Sequence, residues 1–233
     1  SQDFNHIIDV LRVSLRSLVL RYDTCSCRDA AAIVAACPNL EKVCVSRCST
    51  KPMCRLFAEL GDLPNLRHLG VYVDRSSFAE LQQRCLGKLA NLRILEMTYC
   101  DDAMEPEWGS FSWAGLRVVT LQSKFRRPLD YRFRRPNSSA VFATGQSLEK
   151  LTFGAVNELH SLEIEILADL PSLSFFSCLN ICSGSPEVEL VSRALGRVAK
   201  WRFKFQGRVA TWERVSKRVK VASLGDSTDL EQG

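Results

Sequence analysis

The side chains in this chain best suited to gripping another molecule fall in one run. Between Leu121 and Leu148 lie Lys124, Phe125, Arg126, Arg127, Pro128, Tyr131, Arg132, Phe133, Arg134, Arg135 and Pro136. Guanidinium groups interleaved with aromatic rings can hold phosphates and stack bases. The same groups serve equally well as anchors on an acidic protein surface, where Arg and Tyr are favoured. A third reading has the aromatics packing on the body of the fold while the charges stay in water. The composition leaves all three open.

Metal and catalytic chemistry find less support. Of the 10 cysteines, Cys25 and Cys27 are separated by one residue, short of the usual gap in zinc pairs, and the three histidines (His6, His68, His160) are far apart in sequence. The remaining cysteines read as buried free thiols in a reducing compartment, cytoplasmic or nuclear. The expectation is no metal and no cofactor. Acid pairs exist at Asp101-Asp102 and at Glu163 with Glu165, but on turns and helix faces where solvation accounts for them. No nucleophile elbow, phosphate-cradling glycine loop or metal-binding helix occurs, so no enzymatic activity is expected.

What must position these groups is a repeated unit. In Leu92-Arg93-Ile94-Leu95-Glu96-Met97-Thr98-Tyr99-Cys100 apolar residues take the first, fourth and sixth places and a cysteine the ninth. That is the strand-and-turn half of a leucine-rich repeat, L-x-x-L-x-L-x-x-N/C. Matching segments start at Leu15, Leu40, Leu66, Leu92, Leu116, Leu148, Leu173 and Val198, with offsets of 25, 26, 26, 24, 32, 25 and 25 residues. A unit this short cannot bury its own apolar face, so units must stack and share a core.

Between the strands the apolar period becomes helical: Asp29 to Ala36, Met53 to Leu60, Phe78 to Leu89, Leu159 to Leu170 and Val188 to Leu195 each carry a stripe. Ser77 followed by Glu80 has the spacing of a capping box, and Pro186 suits a first helical position. Pro38, Pro64 and Pro171 stop helices before the next strand. The fold expected is α/β: a leucine-rich repeat solenoid of about eight repeats. It is a right-handed β-α superhelix with a parallel sheet on the concave face and helices outside. Its domain spans 1–221, with an insert at 124–137 and a C-terminal cover at 206–221 in which Val209 to Val215 lies beside the last strand. Residues 222–233 form a polar, disordered tail. Phe4 to Val13 reads as a helix, either a cover or the outer helix of a preceding repeat. The return around Trp108 and Trp113 is expected to be irregular, with one of these filling core space.

In a strand the fourth and sixth side chains leave on one side and the third, fifth and seventh on the other. The outward columns therefore nominate Lys42, His68, Tyr72, Ile94, Glu96, Val118, Gln122, Phe175, Lys200, Arg202 and Lys204 as partner-binding. The insert adds Arg126, Arg127, Tyr131, Arg132, Phe133, Arg134 and Arg135. The middle of this surface is mixed and partly apolar, which suits a protein or peptide better than a sugar or metal.

The segment Ala36-Cys37-Pro38-Asn39-Leu40-Glu41-Lys42-Val43-Cys44-Val45-Ser46-Arg47-Cys48 resembles the cysteine-containing leucine-rich repeat common in F-box proteins. There C-P-x-L introduces the strand and a cysteine closes it. The match is strict in this repeat and partial in the fourth; Asp23, Asp74 and Lys124 replace the closing cysteine elsewhere. The resemblance implies the substrate-recruiting arm of an F-box-type ubiquitin ligase, bound to an adaptor only if an F-box lies upstream.

Two other readings stay open: a nucleic-acid or anionic-surface binder using the basic insert and C-terminal basic edge, and a sensor domain of an immune-type receptor. The net charge of +5 conceals the asymmetry behind the first of these, since 124–135 holds six basic residues against one acid and 197–221 nine against one. No membrane span is expected, the apolar runs being too short. Because residue 1 is Ser, the chain reads as a piece of a longer product.

Overall fold

The computed structural model describes residues 12–20, 26–46, 53–99, 114–123, 145–153, 170–179, 186–198, 201–206 and 208–215. They form an α/β fold built on one nine-stranded, mostly parallel sheet. The strands are β1 (Ser17–Leu20), β2 (Lys42–Val45), β3 (His68–Val73), β4 (Ile94–Tyr99), β5 (Val118–Ser123), β6 (Lys150–Phe153), β7 (Phe175–Leu179), β8 (Trp201–Gln206) and β9 (Val209–Arg214). The described helices are α1 (Cys27–Ala36), α2 (Cys54–Gly61), α3 (Arg75–Arg84) and α4 (Pro186–Val198), with a 3-10 turn at Leu86–Lys88.

From β1 to β7 each strand pairs in parallel with the next, and the register steps by one sequence unit every time: Leu18 opposite Val43, Val43 opposite Leu69, Leu69 opposite Leu95, Leu95 opposite Val119. Each strand is entered the same way. The carbonyl of Arg67 accepts hydrogen bonds from the N–H groups of Arg93 and Ile94, that of Arg93 from Arg117 and Val118, and that of Arg117 from Glu149 and Lys150. A recurrent backbone step of this kind lets every unit supply donors for its predecessor's carbonyl, so no carbonyl at the strand entrance is orphaned.

The fourth and sixth residues of the second to fifth and seventh units, and the fourth of the sixth, point into one core. Val43, Val45, Leu69, Val71, Leu95, Met97, Val119, Leu121, Leu151, Phe176 and Cys178 are all buried. They share that core with Ala30, Ala31 and Val34 of α1, Leu56, Phe57 and Leu60 of α2, Phe78 and Leu81 of α3, and Val188, Val191 and Leu195 of α4. The helices therefore lie on one side of the sheet, with α1 against α2 and α2 against α3. Close helix approach requires Gly61: a Cβ there would run into the Arg84 carbonyl of α3. α1 is capped by Ser26, whose hydroxyl accepts from the Asp29 N–H.

The structure corrects the reading of the third helix start. Ser77 is not the cap. Asp74 is, accepting from the Ser77 N–H at 2.8 Å while the Ser77 hydroxyl accepts from the Asp74 N–H at 2.8 Å. A carboxylate satisfies an exposed helix N-terminus at least as well as a hydroxyl, so the acid three residues earlier takes the role.

The C-terminal end departs further. The eighth unit does not stack on the seventh. β9 lies between β7 and β8, antiparallel to both, and the order closes as β7-β9-β8. Val209 to Arg214 lies beside the last strand as expected, but as an interior strand between β8 and β7 and not as an outer cover. The hairpin reason is local. Only two residues separate β8 from β9, and the strand carrying the fully buried Trp212 takes the place beside Phe176, with ring centroids 5.5 Å apart. The insert at 124–137, most of the segment 159–170 expected to be helical, the 4–11 segment, Trp108, Trp113, Cys25, Cys48, Cys100 and 216–233 lie outside the described residues.

Candidate binding face

The side of the sheet away from the core is assembled by the same register. One row runs Lys42, His68, Ile94, Val118, Lys150, Phe175. A second runs Cys44, Gly70, Glu96, Thr120, Thr152, Ser177, and a third, where strands are longer, joins Tyr72, Thr98 and Gln122. Eight nominated residues (Lys42, His68, Tyr72, Ile94, Glu96, Val118, Gln122, Phe175) therefore share one face. All are half-buried except the exposed Glu96. Arg202 and Lys204 are exposed on β8 but stand one strand further away than the sequence placed them, with Glu213 of β9 between Phe175 and Arg202. Lys200, Arg126, Arg127, Tyr131, Arg132, Phe133, Arg134 and Arg135 lie outside the described residues.

Charge on this face is partly compensated. Lys204 Nζ is 3.5 Å from Glu213 Oε2, and Lys150 Nζ sits 4.7 Å from the centre of the Phe175 ring. Exposed pairs of this kind contribute little to stability. The Lys204–Glu213 pair does lower the free positive charge at the end of the sheet that composition alone makes strongly cationic. Two residues of the second row are not available to a partner at all: Thr152 and Ser177 are buried, and the Ser177 hydroxyl donates to Thr152 Oγ1 at 3.0 Å.

At the other end of the face three donor groups meet. Cys44 on β2 and Glu96 on β4 sit either side of Gly70 in the second row, and His68 on β3 lies in the row beside it. The Cys44 sulfur, a His68 ring nitrogen and a Glu96 carboxylate oxygen all lie within 4.8 Å of one another. His68 Nε2 is 3.4 Å from Glu96 Oε1, within ion-pair distance for an imidazolium. It is nevertheless buried and makes no hydrogen bond. Cys44 leans over β3, where a Cβ on residue 70 would stand 3.0 Å from its sulfur, so the absence of a side chain at Gly70 leaves the space.

Burial pushes the Cys44 thiol up, opposed by Lys42, reinforced by the Glu96 carboxylate and opposed again by the Gly70 N–H directed at the sulfur. A nucleophilic cysteine needs the reverse. Sequence spacing missed this group because its donors are one repeat apart, not two to four residues apart. The signal available was their joint membership of the outward columns.

Among the described residues no helix is long and apolar enough to cross a membrane. No family model and no curated protein matches the chain.

Proposed function

We propose that the chain is a leucine-rich repeat solenoid acting as a protein-binding scaffold, without catalytic activity of its own. The observation that carries this reading is the alignment of Lys42, His68, Ile94, Val118, Lys150 and Phe175 in one continuous row across six parallel strands. The offset between units in the sequence equals the offset between paired strands, which is what stacking of repeats requires. The row has an apolar centre at Ile94 and Val118, flanked by polar and charged groups. That arrangement suits the anchor-and-rim pattern of a protein interface. A phosphate backbone would need a run of free cations instead.

The sharper form of the proposal, carried by the Cys37-Pro38-Asn39-Leu40 to Cys48 resemblance, is the substrate-recruiting arm of an F-box-type ubiquitin ligase. A photo-crosslinking residue placed at Val118, and separately at the exposed Arg28 of α1, tests the scaffold reading in cells. Protein adducts from position 118 that are absent from position 28 are the expected result. The same adducts from both sites, or nucleic-acid adducts from 118, would overturn it. Recovery of a ligase adaptor with the parent protein, lost on removal of its upstream region, tests the ligase form separately.

A further inference from the structure

We propose that Cys44, His68 and Glu96 form a three-donor zinc site on the side of the sheet away from the core, with water completing the coordination. The proposal is independent of the scaffold reading: the site would stand even if the surrounding face held no partner.

Cys44, Gly70 and Glu96 are in register on β2, β3 and β4. Adjacent strands stand about 4.8 Å apart, so the backbones at 44 and 96 are separated by roughly 9.6 Å. Two side chains leaning inward from that separation converge over the central strand, and the one residue beneath them is glycine. Any larger residue at 70 would occupy the convergence point, since even its Cβ would stand 3.0 Å from the Cys44 sulfur. His68, two residues earlier on β3 and on the same side, supplies the third donor from below.

The nitrogen–oxygen distance fits the ion. Tetrahedral zinc with nitrogen and oxygen ligands holds those two donors about 3.3 Å apart, given zinc–nitrogen and zinc–oxygen bonds of about 2.0–2.1 Å. His68 Nε2 and Glu96 Oε1 are 3.4 Å apart, and the Cys44 sulfur is within 4.8 Å of a His68 ring nitrogen and a Glu96 carboxylate oxygen.

A second observation points to a ligand in its own right. His68 Nε2 is buried without a hydrogen-bond partner. A buried polar atom in that state is costly and calls for an explanation. A cation held between this nitrogen and the Glu96 carboxylate, 3.4 Å away, would supply one.

The donor set selects the metal class. Thiolate, imidazole and carboxylate together suit zinc, whereas magnesium and calcium take oxygen ligands. A thiolate and a carboxylate neutralise the dication, with the neutral imidazole adding no charge. Lys42, opposite His68 in the first row, is the charge that counts against the ion. Glu96 is 49% exposed, so the site is reached by solvent from its side, as a zinc centre with three protein ligands and water requires.

The experiment uses the whole chain, reduced and stripped with a chelator, then titrated with Zn²⁺ in competition with a chromophoric chelator and separately with Co²⁺. One tight equivalent is expected. It should show a thiolate-to-cobalt charge-transfer band and the visible absorption of tetrahedral cobalt. Cys44→Ser should abolish the band. Glu96→Gln, at a half-exposed position where the fold is undemanding, should keep native circular dichroism. It should weaken zinc by more than the roughly 10–100-fold that changes behind a ligand cost. Cys54→Ser, on α2, should leave both readings unchanged. Absence of a one-equivalent event overturns the proposal, as does a cobalt band that survives Cys44→Ser. Zinc affinity unaffected by Glu96→Gln does the same.

Discussion

Ser177 donates a hydrogen bond to Thr152 across 3.0 Å, joining β7 to β6 on the side of the sheet away from the core, and both residues are buried there. The second row thus changes character along the sheet. It is a donor cluster over β2 to β4 and a closed hydroxyl pair over β6 and β7. The hydroxyl pair has a measurable signature. Thr152→Val leaves the Ser177 hydroxyl buried without its acceptor and should cost about 1–3 kcal/mol. Thr152→Val combined with Ser177→Ala removes both polar groups and should recover most of that loss. Urea midpoints at constant slope measure it. A double variant no more stable than the single one would show that the pair does not hold these strands.

Leu69 and Leu95 are opposite each other in register on β3 and β4, and neither has any exposed surface. Leu95→Ala should cost about 2–5 kcal/mol, through lost transfer energy and the cavity left behind. Leu95→Asp strands a charge in the core shared by every unit and should prevent folding outright. Thermal denaturation followed by circular dichroism distinguishes these outcomes from the small shift expected if the position tolerated water.

Cys85 closes α3 and is buried; burial pushes its thiol up to about 12 from an ordinary 9.0, opposed by Lys88 and reinforced by Asp62. The fold thus favours the neutral thiol. Its contribution is fully present below about pH 9 and is lost as pH rises towards 12, because the unfolded chain releases a proton that the folded chain keeps. At about pH 10.5 the loss relative to pH 8 should be on the order of 2 kcal/mol. Cys178, buried in β7, is pushed up as well and acts in the same direction. Unfolding midpoints of wild type and Cys85→Ala, compared across that range, isolate the Cys85 share: the wild type should fall more steeply. Equal slopes would mean that the folded protein accommodates the thiolate.

Much of this molecule is legible in the sequence because the sheet copies the repeat. Once Leu69, Leu95 and Val119 are recognised as equivalent, parity alone puts His68, Ile94 and Val118 in one row on the other side. The Cys44, His68 and Glu96 cluster escaped the same reading for a physical reason. Rules for metal spacing look along a single turn or hairpin, and here the donors are 24 and 28 residues apart. Stacking converts those separations into neighbouring strands. The cap of α3 was misplaced because two residues of similar chemistry, Asp74 and Ser77, both belong to the capping box and only geometry tells which one is outside the helix.

That 209–214 pairs with β8 was legible, but not that it lies between β8 and β7, and this order supplies the sharpest test of the fold. Trp201, Phe203 and Phe205 alternate with Arg202 and Lys204 in the same way whether β8 stacks on β7 or stands beyond an intervening strand. Parity names the inward side but not the neighbour. The structure gives the place beside Phe176 to Trp212, which is buried and donates from its indole N–H to the Ser192 hydroxyl of α4 at 2.9 Å. Phe203 is left 43% exposed on the edge strand, in contact with one face of Trp212. Trp212→Ala should therefore cost about 3–5 kcal/mol, as expected for a fully buried large aromatic. Phe203→Ala should cost clearly less, since much of the ring already faces water. Had the eighth unit stacked directly on the seventh, Phe203 would hold the interior place and the two costs would be reversed. Chemical denaturation of the two variants, measured side by side, decides between these orders.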